Sequence, residues 1–435
     1  MTRFYRRLFL STVLGGLATH SGGFAQEVAK GKPDAPVPAP RMLPPATSPT
    51  NPALRTVNIG DCIQTALDRQ PTLRGLRASL QGAEANRGSI ERKVPLESIL
   101  AKDLPYRRLQ ADRGILVARA DLQQTEQDIL YAVVRTYYSA VYAGVQSRVA
   151  KNIVEAIDVR LKFARSIVDA GDATPEINET TVRVLTLYRA RAVTKLIEAE
   201  EGAPRATDAL REVMGLSRGE EIAIADTALP GVSVEFTRDA IIDQALCRRG
   251  ELAMAAAGLE VLRIEEQAQG AIRFRFRVPT AAQAADIHTR SIPQGTRDGE
   301  YRPDAFGPEL PSMLVGNREA RVFRAMLLTQ RADAVLEKTR NLVTLESENS
   351  FSRWTEASRK MKELKVAAET GKALTKSLAE LVEGRKRDLT QEITAEGLAS
   401  EAQASFNESM FDQIMALGSI ERVTAGGIRV NYPGR

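Results

Sequence analysis

Apolar residues in this chain recur at helical spacing over unusually long stretches. From Tyr106 to Asp169 there is no proline, and Leu130, Val134, Tyr137, Val141, Val145, Val149, Ile153, Ile157, Leu161, Ala164 and Val168 step by three or four. That pattern is one face of a continuous helix. At 1.5 Å per residue it reaches about 96 Å. Gly171 closes it, as glycine does just past a helix C-terminus. Thr174-Pro175 then restarts the chain with proline in a first turn, and a returning helix runs to Met214 with a kink at Pro204. A second long segment, Arg318–Glu383, carries Val322, Leu336, Val343, Trp354, Met361, Leu364, Leu374, Leu378 and Leu381. It predicts a helix of about 99 Å. Gly384 closes it and Leu389–Val423 returns.

Each long segment follows a shorter opening helix, and the two openings are alike. Setting Ala66-Leu67 on Ala245-Leu246 also pairs Val57 with Phe236, Ile63 with Ile242, Arg69 with Arg248 and Leu73 with Leu252. The first opening helix, capped by Asn58 or Asp61, runs to about Arg87 and is kinked or split at Pro71. The second runs from about Arg238 to Gln269. Repetition at this scale decides architecture before local motifs do. The fold class is therefore mainly α, with duplicated long antiparallel helical hairpins.

The halves differ in their breaks. Gly88–Pro105 is short and charged, with Glu91, Arg92, Lys93, Glu97, Lys102 and Asp103. The longer break, residues 270–317, contains Ile272–Val278, whose apolar and basic residues alternate with the period of a strand. Its Arg273, Arg275 and Arg277 suit either anionic lipid headgroups or a solvated strand face. Glu220–Val234 is an irregular, partly extended connector.

The expected organisation is a signal peptide at 1–25, a proline-rich linker at 26–55, a first helical repeat at 56–233 with a reduced insert at 88–105, a second repeat at 234–426 with an insert at 270–317, and a C-terminal tail at 427–435. The basic start, the apolar run Leu8–Leu17 and the small residues before Ala25 carry the first assignment. That run is too short to span a bilayer.

Composition agrees with long solvated helices: 26% of residues are charged and 5% aromatic. The formal net charge of +5 includes Arg3, Arg6 and Arg7 of the leader, so nothing marks a nucleic-acid partner. Cys62 and Cys247 fall at different places in the repeat. Export permits a disulfide, but two buried free thiols is the favoured reading. His288 stands alone after the leader, and no phosphate-cradling glycine loop or nucleophile elbow occurs. The chain is read as a non-enzyme with no catalytic, cofactor or metal residues. Tyr137, Tyr138 and Tyr142 are read as seam packing rather than lumen lining.

In this plan the chain resembles the TolC-like outer-membrane efflux protein family over roughly residues 56–426. The resemblance rests on several segments. They are Cys62–Leu73 (CIQTALDRQPTL) with Ile241–Leu252 (IIDQALCRRGEL), Tyr137-Tyr138 through Ala143 with Phe351, and the turns at Gly171 and Gly384. Leu210–Leu216 (LREVMGL) with its degenerate copy Ile420–Gly426, and Leu310–Arg318 (LPSMLVGNR), complete it.

The resemblance implies a homotrimer whose helices form a periplasmic tunnel, topped by an outer-membrane β-barrel. It further implies an inner-membrane transporter coupled through a periplasmic adaptor, working in efflux or type I secretion, with outer-membrane lipid as a further contact. The chain would be exported, to outer membrane and periplasm. The tunnel constriction would fall on Asp172, Glu176 and Glu179 in the first turn and on Arg385, Arg387, Asp388 and Glu392 in the second, beside the turn glycines Gly171 and Gly384. Ile177 and Gln391 stand near the places where the family has aspartates. Ordinary helix-start carboxylates are the alternative for the acidic members.

One departure bears on the barrel. Two membrane-crossing strands need about 9–11 residues each, more than Gly88–Pro105 supplies. Short β segments would then replace or reduce the barrel. A non-conducting periplasmic scaffold derived from the same family, and an unrelated exported coiled-coil protein, stand as alternatives.

Overall fold

The computed structural model describes residues 55–91, 101–174, 177–217, 219–232, 234–272, 316–381 and 389–435. The expectations for the leader, for the linker up to residue 54, for the strand Ile272–Val278 beyond Ile272, for His288 and for Gly384 lie outside these residues. In chain order the elements are β1 (Arg55–Val57), α1 (Ile59–Arg69), α2 (Pro71–Glu91), α3 (Leu104–Asp169), α4 (Glu179–Val213), β2 (Ile222–Ile224), α5 (Arg238–Arg248), α6 (Gly250–Ala271), α7 (Arg318–Leu381) and α8 (Leu389–Val423).

The duplication is plain in the helix lengths. α1 and α5 have 11 residues each, α2 and α6 have 21 and 22, α3 and α7 have 66 and 64, and α4 and α8 have 35 each. α3 packs on α4 and α7 on α8 as antiparallel hairpins, while α6 lies against both long helices and α8 also meets α3.

Local chemistry sets the boundaries. Asn58 and Asp61 close a reciprocal capping box at the start of α1: the Asn58 Oδ1 accepts from the Asp61 amide at 2.8 Å, and the Asp61 carboxylate accepts from the Asn58 amide at 3.2 Å. Pro71 splits α1 from α2 rather than kinking one helix. The second opening helix, expected to be unbroken, is likewise divided, at Arg249 between α5 and α6. No proline stands there; the break falls at the repeat mate of Gln70.

α4 begins at Glu179 rather than at Pro175. The extended backbone of Asn178 ends the turn, and its side chain accepts from the Thr181 amide at 3.1 Å. Helix α4 runs on through Pro204. α2 continues through Gly88–Glu91 and α3 starts at Leu104, so the first break is confined to residues 92–103.

The largest apolar cluster gathers where both repeats begin and end. Ile59, Ala66, Leu73, Val133, Tyr137, Tyr138, Leu210, Met214, Ile414 and Leu417 are buried together. Fully burying each large aliphatic side chain contributes about 1.5–3 kcal/mol. Tyr137 and Tyr138 are seam residues as expected: both are 0% exposed and their rings meet edge-on at 5.3 Å. The Tyr137 hydroxyl donates to Asp226 at 2.9 Å. Tyr142 stacks on Phe411 at 4.9 Å, and Phe351 packs on Trp354, which also meets Phe236.

β1 and β2 pair in parallel, Arg55 beside Ile222 and Val57 beside Ile224, tying the first repeat's start to the connector. The residues after α8 pack into the same cluster: Val430 and Tyr432 are buried, Tyr432 lies 5.4 Å from Tyr138, and Gly60 donates to the Gly434 carbonyl at 3.1 Å.

The cysteines correct one expectation. Cys62 is buried and free, but Cys247 is free and exposed, because α5 turns that position away from the core side marked by Ile241 and Ala245. Among the described residues no helix is long and apolar enough to cross a membrane.

Candidate functional site

The site indicated by sequence is the tip of each hairpin. At the first tip α3 ends with Gly171 at φ +77°, a left-handed turn that suits glycine. Its amide donates to the Val168 carbonyl at 3.1 Å, and the Asp172 amide donates to Ile167 at 3.2 Å, consuming carbonyls that a helix end leaves open. Ile177 tucks back under the turn with Ile157, Leu161, Ala164 and Leu185, anchoring the tip by apolar burial.

The expected constriction residues separate as follows. Asp172 is exposed on the turn. Glu179 opens α4 and pairs with Arg183 at 2.8 Å, an exposed contact one helical turn on. Glu392, in the first turn of α8, faces Arg160 of α3 at 3.9 Å. Glu176, Arg385, Arg387 and Asp388 lie outside the described residues.

Sequence reading missed the groups that tie the hairpins together near this end. Arg160 also meets Glu396 at 2.6 Å, and so joins the long helix of the first repeat to the returning helix of the second. Within the first hairpin, Arg189 of α4 grips Asp158 of α3 through two nitrogens. The Arg189 hydrogen bond holds the Asp158 carboxyl below its usual range. Neither pair has a local sequence signature, since the partners are brought together by hairpin register alone.

A second, buried cluster sits where the repeats abut. Arg249 is paired with Glu251 and Glu346 at 2.7 Å each, and Arg422 with Glu346 and with Asp128 at 3.6 Å. The Arg422 guanidinium also lies over the Tyr131 ring, 5.2 Å from its centroid. Burial opposes the charge on Arg249, but Glu346 and Glu251 outweigh it and raise its pKa. Burial opposes Arg422 too, and there Glu346 and Asp128 prevail. Each carboxylate of this cluster is paired with a guanidinium, so the groups act as pins between the repeats. Among the described residues no group of three or more histidine, cysteine, aspartate or glutamate side chains is placed to hold a metal ion.

No protein-family model and no curated protein matches the chain. Solved structures do. The chain is similar to a membrane protein from Pseudomonas aeruginosa, with a TM-score of 0.64 and 15% identity, over 89% of this chain and 99% of that one. It is similar to the outer-membrane channel OprN, with a TM-score of 0.65 and 16% identity, over 85% of this chain and 90% of that one. The open state of the Neisseria gonorrhoeae MtrE outer membrane channel gives a TM-score of 0.66 at 12% identity, over 85% and 89%. The chain therefore has the fold of outer-membrane channels, with duplicated helical hairpins as its frame.

Proposed function

We propose that this chain is a TolC-like exit duct for efflux or type I secretion, exported to the outer membrane and periplasm. Three copies would place their hairpins side by side as a tunnel wall. A periplasmic adaptor and an inner-membrane transporter would engage the tunnel's inner end. The observation that supports this reading is the pair of closely matched hairpins, α3/α4 and α7/α8, in a fold shared with outer-membrane channels over most of both chains.

The hairpin surfaces fit an assembly. Val159 is 69% exposed and Leu187 72% on the first hairpin, Val366 61% and Leu398 58% on the second. One chain leaves these apolar residues in water, and neighbouring copies would cover them. At the inner end, Asp172, Glu176, Glu179, Arg385, Arg387, Asp388 and Glu392 are the candidates for a charged constriction around Gly171 and Gly384. Arg160 would serve as the strut between hairpins. The role is passage, with no catalytic step assigned to the chain.

Planar-bilayer recording of the purified protein tests the duct. Discrete conductance is expected, and its absence from a verified trimer would sink the reading. One observation favours the second reading, a non-conducting periplasmic scaffold. Residues 92–103 are too few for two membrane-crossing strands of about 9–11 residues each. A trimer that fractionates with soluble periplasm and carries no current would establish that alternative.

A further inference from the structure

The two breaks leave the helical body at four roots, and three of them meet in one buried chain of polar side chains. At the first break's exit Asp103, 0% exposed, accepts from Arg107 Nε at 3.1 Å. Arg107 then directs its remaining donors at Glu265 of α6, through both Nη atoms, and at Gln110 at 2.7 Å. Glu265 further accepts from Gln110 at 2.8 Å and from the Gln269 amide. Gln269 in turn accepts from Arg321 Nε at 2.9 Å. Arg321 of α7 closes the chain at the second break: its Nη1 donates to the Gly316 carbonyl at 2.8 Å and its Nη2 to the Ile272 carbonyl at 3.4 Å. One guanidinium thus holds the residue before segment 273–315 and the residue after it.

The order of groups matters. Along the chain the side chains run carboxylate, guanidinium, carboxylate, amide, guanidinium. Each donor faces an acceptor, and Gln269 is oriented by accepting on one side and donating on the other. In a low-dielectric interior such a series is stronger than its separate pairs, and one missing member leaves neighbours unsatisfied. At the fourth root Ile90, in the last turn of α2, packs with Ala101, Leu104 and Ala111 beside the same polar chain.

We propose that this chain couples the roots of the two breaks, with Gln269 as the relay, so that loosening the second break's root loosens the first. The coupling goes beyond the duct reading and does not depend on it. Whether current flows says nothing about it, and its test uses no current.

Hydrogen exchange followed by mass spectrometry on the full-length protein in detergent tests the coupling. Gln269→Met removes the relay while leaving every charge in place. Exchange is expected to accelerate by about tenfold or more both at Leu104–Gln110 and at Arg318–Arg324, the effect of stripping partners from buried polar groups. Peptides covering Ile157–Asp169 at the hairpin tip serve as the unchanged control. A change confined to one root, or no change at either, would overturn the proposal. A double-mutant cycle of Arg107→Met and Arg321→Met gives a second reading. Non-additive unfolding with Gln269 present and additive unfolding in the Gln269→Met background support the relay; additivity in both backgrounds refutes it.

Discussion

Gln70 and Arg249 occupy the same position in the two repeats, and each donates to the last helical carbonyl of its own repeat's returning helix. Gln70 Nε2 reaches the Val213 carbonyl at 3.0 Å, and an Arg249 Nη reaches that of Val423 at 3.4 Å. A polar side chain at the gap between the two opening helices therefore caps the C-terminus of the helix that ends the repeat. The first repeat does this with a neutral amide. The second does it with a charge that Glu251 and Glu346 must balance.

That difference predicts unequal costs. Arg249→Met strands the buried Glu251 carboxylate, leaves Glu346 with Arg422 as its remaining guanidinium, and is expected to destabilise by about 3–5 kcal/mol. Gln70→Ala leaves carbonyls short of a donor and should cost about 1–3 kcal/mol. Chemical denaturation followed by circular dichroism compares them. Equal losses would show that the charge network contributes nothing beyond the cap.

The closing glycines offer a steric comparison. Gly171 and Gly215 both sit at positive φ, +77° and +67°. A Cβ at Gly171 meets nothing within 4 Å, whereas at Gly215 it would lie 2.8 Å from the Arg69 carbonyl oxygen and 3.0 Å from the Gln70 Cα. Gly171→Ala should cost only the left-handed penalty of about 1–2 kcal/mol. Gly215→Ala should cost more, because the displaced atoms are backbone at the α1/α2 break. Thermal unfolding of the two variants checks the ranking, and a reversed order would contradict this packing.

How much of this was legible in the sequence depends on the range of the interaction. Three-to-four spacing along α3, the apolar positions along α7, glycine past α3 and the match of Ala66-Leu67 to Ala245-Leu246 are local or repeated signals, and the hairpins and their lengths followed from them. The seam tyrosines followed from the packing preference of aromatic side chains. The split at Arg249 was hidden because no proline marks it. The pairs Arg160–Glu396 and Arg107–Glu265 were hidden because charged residues are frequent on every helix, and only the register selects partners. The capping equivalence of Gln70 and Arg249 was obscured for a further reason: the opening helices and the returning helices are offset between repeats by different amounts.

The Glu265 carboxylate gives a pH prediction. Burial disfavours its charge, but the Arg107 hydrogen bond and charge, with Gln269 and Gln110, prevail and lower its pKa from the ordinary value of 4.5. A depressed folded pKa contributes stability that is fully present above the unfolded value and is lost as pH falls through the folded one. Glu265→Gln is therefore expected to destabilise by about 3 kcal/mol at neutral pH, the order found for broken buried pairs. The gap to wild type should close on acidification below about pH 4. Denaturation midpoints measured from neutral to acidic pH read the gap directly, and a gap constant across that range would remove Glu265 as its source.

The two thiols are expected to behave differently. Burial and the neighbouring Asp61 push the Cys62 thiol up to about 12, so it offers almost no thiolate at neutral pH. Cys247 is exposed. Maleimide should label Cys247 in the native protein and Cys62 only after unfolding, as read by peptide mass spectrometry. Native labelling at Cys62 would place it outside the core described for α1.

The Arg160 pairs near the hairpin tips give a prediction about passage. Arg160, partly exposed, reaches Glu396 at 2.6 Å and Glu392 at 3.9 Å, and its pairs lie between hairpins rather than within one. Exposed and half-exposed ion pairs contribute about 0–1 kcal/mol, so Arg160→Ala should leave the unfolding midpoint nearly unchanged. If the hairpins line a conducting tunnel, losing the strut frees α8 to move from α3 at the narrow end, and single-channel conductance should rise severalfold. Asp158→Asn serves as the comparison, since it weakens only the grip of Arg189 within the first hairpin. Equal conductance in wild type and Arg160→Ala would assign the pair to packing, whereas a rise in both variants would locate the resistance in the first hairpin.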